Sequence, residues 1–185
     1  MGQAKLTIAL VVAIIFQWIA RSVSESLAYI DLPLIIVVYT ALQGNTIRAL
    51  FFATLAGLAV DALSGGLLGS NGFSKTLVAY LVSELVRRVY VENFLLRILV
   101  LMAAIVVDET VYYFMHRLLG QNIDGLLFKV VSFTLLATTL VGIVLFLILD
   151  NLNLENMREV IKRNELLSPR RQPRRRNPIR LGKKV

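Results

Sequence analysis

Cysteine is absent from the 185 residues, and histidine occurs once, at His116. The first absence removes disulfides, thiolate metal sites and thiol nucleophiles together. The second rules out a histidine-built metal cage. Trp18 is the single tryptophan, so a ring-shaped ligand would find no aromatic cluster to rest on. Charged residues are also scarce, 17% against 57% hydrophobic, and the mean hydropathy is +0.71. A soluble domain of ordinary composition is about 45–50% apolar. The excess here needs lipid around it.

What charge there is lies in one place. Residues 151–185 hold eleven lysines and arginines against three acids, which accounts for the whole formal net charge of +8. The first 150 residues balance nine basic side chains with nine acids. A neutral hydrophobic body therefore carries a basic appendage. This argues against a nucleic-acid-binding body and for a tail that meets an anionic surface.

The apolar runs predict an all-α integral membrane protein, a bundle of about six transmembrane helices over residues 1–150. Leu6–Ala20 is short for a span of about 20 residues. With Ser26-Leu-Ala28 behind it, the run also has the look of a signal-peptide core. Trp18 at its end and the polar extensions to Gln3 and Ser24 favour a first transmembrane helix. Asp31-Leu-Pro33 supplies a cap and a first-turn proline. The short run Leu34–Leu42 follows, expected to lean, to start as early as Leu27, or to cross only partly. Ala49–Gly66 is interrupted by Asp61 and closed by a turn of Gly65, Gly66, Gly69 and Gly72. Phe73–Val86, Leu95–Leu119 and Leu126–Leu149 complete the set. Six crossings put both termini on one side, and the arginines of the tail place that side in the cytoplasm. Beyond Asp150, Leu154, Met157, Val160, Ile161 and Leu167 recur at helical spacing, predicting an amphipathic helix near the membrane surface. From Ser168 onward, prolines among arginines predict a disordered segment. Arg170, Arg171, Arg174, Arg175 and Arg176 are its candidate contacts with lipid head groups or an acidic partner.

Several polar residues invite a chemical reading. Gly69-Ser-Asn-Gly-Phe-Ser74-Lys75-Thr76 falls one glycine short of a phosphate-binding loop, with Ser74 at the position that must let a phosphate approach the backbone. A helical link between spans three and four is the better reading. Asp61 lies inside a span, where a carboxylate costs about 2.5–3.5 kcal/mol. It is placed to accept hydrogen bonds from the amides of the Gly65-Gly66 turn, or else to serve an ion or substrate. Glu84 faces Arg87 and Arg88 at helical spacing, a local ion pair. Asp108 and Glu109 point to different faces of the fifth helix, with Tyr112, Tyr113 and His116 a turn or two further on. Either these form a proton-relaying ladder, or one carboxylate pairs with Lys75 or Lys129 while the other meets water or a partner. Small residues four apart, at Ala9 and Ala13, Ala53 and Gly57, Thr138 and Gly142, permit close helix packing. No catalytic, cofactor or metal constellation emerges.

The stretch Gly57-Leu-Ala-Val-Asp61-Ala-Leu-Ser-Gly65-Gly66-Leu-Leu-Gly69, followed by Thr76-Leu-Val-Ala-Tyr80-Leu, resembles the signature of the rod shape-determining MreD family. Asp31-Leu-Pro33 and Tyr39-x-Ala-Leu42 fit the same pattern. The resemblance implies a non-catalytic scaffold of the bacterial cell-wall elongation machinery in the cytoplasmic membrane. It would bind the single-span MreC and connect with MreB, RodA and a penicillin-binding transpeptidase. The family's bundle is similar in fold to the substrate-binding S components of vitamin-uptake transporters, which supplies the alternative function. In that reading Ala9 and Ala13 would dock a coupling subunit, and Asp61, Asp108 and Glu109 would line a pocket. Gly57, Asp61, Gly65, Gly66, Gly69, Tyr80, Asp108 and Glu109 are the candidate structural and contact residues of the body.

Overall fold

A computed structural model of the protein describes residues 3–23, 29–65, 67–89, 91, 93–120 and 127–167; for 3–5, 21, 127–130 and 152–167 it describes the backbone alone. The basic tail from 168 onward, Arg170 to Arg176 included, and Gly66 lie outside the described residues. Six helices follow one another: α1 (Gln3–Val23), α2 (Leu32–Leu42), α3 (Thr46–Ser64), α4 (Ser70–Arg88), α5 (Phe94–Leu118) and α6 (Leu127–Leu167).

Local chemistry sets the boundaries. Asp31 caps α2, its Oδ1 accepting from the Leu34 amide at 2.9 Å, and Pro33 follows in the first turn where its missing N–H is not needed. Asn45 caps α3 in the same way, accepting from the Arg48 amide at 3.1 Å. At the other end of α3, Gly65 has φ +65°, and Gly69 has φ +99° just before α4. Both values lie in the left-handed region that side chains avoid, so the turn between α3 and α4 is written in glycine.

The expected helix order is present, and two helices meet the demands of a span by length and composition alone: α3, and the Val131–Asn151 stretch of α6. Their outward faces, with those of α1 and α5, carry large apolar side chains such as Ile8, Phe16, Phe51, Leu99, Leu136 and Leu147. In a protein of this composition that is a surface for lipid.

Helix α2 departs from its neighbours. Pro33 through Ala41 are all buried, on every side of the helix. Eleven residues rise only about 16 Å, against about 30 Å of hydrocarbon, so α2 does not cross on its own. It is a short central post wrapped by α1, α3, α4, α5 and α6, which all touch it. The backbone of Tyr29 and Asp31, just before α2, lies outside the helix, and such groups need partners of their own. One hydroxyl supplies two of them: Thr138 Oγ1 of α6 accepts from the Asp31 amide and donates to the Tyr29 carbonyl, both at 3.1 Å.

The sixth helix also runs further than its apolar pattern suggests. Instead of ending at Asp150 it continues without a break to Leu167, so the segment expected as a separate amphipathic helix is a direct prolongation of α6.

Candidate functional site

Two polar centres lie inside the bundle. The first belongs to the glycine-flanked stretch around Asp61, which is 1% exposed. Its Oδ2 accepts from the backbone amides of Gly69 at 2.9 Å and Gly72 at 3.1 Å. Its Oδ1 accepts from the amide of Asn71 at 3.2 Å, the side-chain amide of Asn71 at 2.8 Å and, at 3.4 Å, the Ser70 hydroxyl. The expected backbone donors are there, but they come from the far side of the turn. Gly65 opens the turn; the start of α4 supplies the amides. Asp61 thus places an anion on the positive end of α4 and satisfies amides that have no helical partner.

This contact requires the two helices to come unusually close. A Cβ added to Gly57 would sit 2.4 Å from the Asn71 carbonyl oxygen and 2.5 Å from Gly72 Cα. Gly57 and Asp61 are one helical turn apart, so the bare surface and the carboxylate act on the same few residues of α4. For Asp61→Asn, one acceptor becomes a donor facing donors. A loss of about 2–4 kcal/mol in unfolding free energy is expected in detergent micelles, since a buried acceptor set is left mismatched. Unfolding at the wild-type temperature would contradict this role.

The second centre is built on Lys75, whose side chain is fully buried. Its ammonium lies 2.5 Å from Asp31 Oδ2 and 3.0 Å from Asp108 Oδ2. Ser74 Oγ donates to Asp108 Oδ1. Asp31 therefore does two things at once, capping α2 with one oxygen and holding Lys75 with the other. The backbone amide of the same residue reaches Thr138, so α2, α4, α5 and α6 meet at one node.

Of the two acids singled out in α5, Asp108 is the one that pairs with Lys75. Glu109 is half-buried, with Thr134 of α6 as a neighbour. The His116 ring lies against Tyr112, tilted by 45° with centroids 4.1 Å apart, and its Nδ1 lies 3.0 Å from the Tyr112 carbonyl. Lys129 has no described side chain. Tyr80 is 52% exposed on the outer side of α4, away from both centres. Glu84 pairs with Arg88 at 2.9 Å and more loosely with Arg87 at 3.7 Å, as its spacing predicts. Near the opposite end of α2, Asp150 accepts from the Tyr39 hydroxyl and from Arg97, each at 3.0 Å, tying α2, α5 and α6 a second time.

The phosphate-loop likeness is answered by the same geometry. The amides that would cradle a phosphate are filled by the Asp61 carboxylate, and the lysine that would reach it is held between Asp31 and Asp108. Nothing in that stretch is left over for nucleotide. Among the described residues no group of His, Asp and Glu is arranged to hold a metal ion.

A helical bundle with apolar outward faces, stapled internally by charge, is the build of a membrane protein. Comparison with known families gives the assignment its content. The chain matches the family described as rod shape-determining protein MreD over residues 2–154, and it belongs to that family. No curated protein and no solved structure is similar enough to be matched to it. The residues Gly57 to Leu81 that carry the resemblance in the sequence are those that build the α3–α4 contact and half of the lysine node.

Proposed function

We propose that this chain serves rod-shape determination as a membrane protein, the role of the MreD family to which it belongs. We propose that it performs this role without catalysis, as a multi-pass scaffold with both termini in the cytoplasm. On this reading it binds the single-span MreC and links it to MreB, RodA and the penicillin-binding transpeptidase. The observation that carries the reading is the family match across the whole body, residues 2–154. It is supported by the bonds between helices that occupy Asp31, Asp61, Lys75 and Asp108 inside the bundle. Charge supports the orientation: Arg48, Arg87, Arg88 and Arg97 lie at the end of the bundle where Asp150 closes the apolar part of α6, and the sequence beyond Asp150 carries the whole net charge of +8.

Complementation tests the scaffold role. In a rod-shaped bacterium depleted of its own MreD, expression of this chain is expected to restore rods and to co-purify the MreC of that cell. Round cells despite a stably inserted protein would overturn the proposal. For the tail we propose attraction to anionic head groups, at about 1 kcal/mol for each basic residue that reaches the surface. Release of a fused tail reporter from vesicles by high salt is the expected result, and salt-insensitive binding would speak against it.

A further inference from the structure

Between the start of α1 and the start of α3 lies a cavity of about 530 Å³, lined by Thr7, Asn45, Ile47, Arg48, Phe51 and Phe52. Its volume falls within the ~300–1,000 Å³ of ordinary ligand pockets. It opens sideways, toward the surroundings of the bundle: Ile47 is 83% and Phe51 62% exposed. The lining changes character along its length. Asn45 and Arg48 stand at the helix start, and Phe51 and Phe52 continue one turn deeper into the apolar zone.

The polar end is electropositive for two independent reasons. Lys75, Arg87, Arg88 and Arg97 each have a carboxylate partner, whereas Arg48 has none among the described residues. Asn45 accepts the Arg48 amide with its side chain and the Ala49 amide with its carbonyl. The amides of Thr46 and Ile47 precede those bonds and face the same end of a 19-residue helix, where the positive end of its dipole lies. An arginine, two forward-facing amides and an adjoining phenylalanine wall fit one kind of molecule: a phosphodiester with a hydrocarbon chain attached.

We infer that this groove is a binding site for an anionic phospholipid of the cytoplasmic leaflet. The phosphate sits on Arg48 and the start of α3, and the upper part of an acyl chain lies against Phe51 and Phe52. The inference rests on the orientation proposed above for its choice of leaflet, but not on the scaffold role. A free phosphate would gain nothing from the phenylalanines, and the choline of a zwitterionic lipid would bring a second positive charge beside Arg48 and the start of α3.

The full-length protein in neutral detergent provides the test. Thermal unfolding is followed while short-chain phosphatidylglycerol, phosphatidylcholine of the same chain length, or inorganic phosphate is added. Phosphatidylglycerol is expected to raise the unfolding temperature in a saturable way, the other two to leave it near its starting value. R48Q is expected to weaken the apparent affinity for phosphatidylglycerol about tenfold, the worth of one charge-assisted phosphate contact. R48K, which keeps the charge but not the fork, retains part of it. Phe51→Gln, at an exposed position, removes the gain from lengthening the acyl chain and serves if R48Q does not fold. Substituting Arg174, Arg175 and Arg176 by glutamine leaves the effect in place. The site is refuted if R48Q and Phe51→Gln titrate like the wild type, if inorganic phosphate or phosphatidylcholine produces the same shift, or if the tail variant abolishes it. None of these outcomes touches the complementation result, so the two readings fail separately.

Discussion

Gly57→Ala is expected to unfold the α3–α4 pair, lowering stability by about 3 kcal/mol or more and abolishing rescue of rod shape. The added methyl would meet the Asn71 carbonyl oxygen at 2.4 Å and Gly72 Cα at 2.5 Å, both parts of the α4 backbone, which has no rotamer to change. The helices must part. Parting them draws the start of α4 away from Asp61, so its three backbone amides lose their acceptor together. A glycine in the same motif separates this effect from simple backbone preference. Gly65 also precedes α4, with φ +65°, but a Cβ there meets nothing within 4 Å. Gly65→Ala should cost only about 1–2 kcal/mol, the penalty of the left-handed conformation itself. Thermal unfolding of the two variants side by side decides the matter: equal losses would mean that the close approach at Gly57 contributes little.

Lys75→Met should be comparably severe, at about 3–5 kcal/mol, because it leaves Asp31 and Asp108 facing one another without a cation. The side chain is replaced by one of similar length, so packing changes little and the charge carries the effect. Adding Asp108→Asn to Lys75→Met removes the repulsion between the two carboxylates and one of the two buried charges left without a cation. The double variant is expected to be more stable than Lys75→Met alone, with a coupling energy of about 1–3 kcal/mol. Strictly additive losses would show that Lys75 and Asp108 do not act as a pair.

Much of this architecture could be read before any coordinates. Six apolar runs, the Asp31 cap, the glycine turn and the Glu84 pair all follow from local rules, and each involves residues close together in sequence. Asp61 was readable as an amide acceptor, but not which amides. The loop closing from Gly65 to Gly69 decides that, and its path depends on two left-handed glycines acting together. The lysine node was only half legible. An acid in span five and a lysine in span four are natural partners, and they do meet. That Asp31 would cap a helix and bind the same lysine is invisible in a pattern, since each role alone explains the residue. Thr138 was singled out as a small residue for packing, and its hydroxyl serves backbone groups 107 and 109 positions away. The brevity of α2 was apparent; its place at the centre was not, because a run apolar on all sides suits lipid and protein interior equally.

The position of that central post bears on how the molecule is made. A hydrophobic stretch of about 20 residues can settle into a bilayer as it leaves the ribosome, but α2, at eleven residues, has nowhere stable to rest by itself. Its Asp31 finds a counter-charge only when Lys75 has emerged, 44 residues later, and its approach strand finds a hydroxyl only when Thr138 has followed. Biogenesis must therefore run out of order. The second helix to be synthesised completes its contacts only once the sixth has followed.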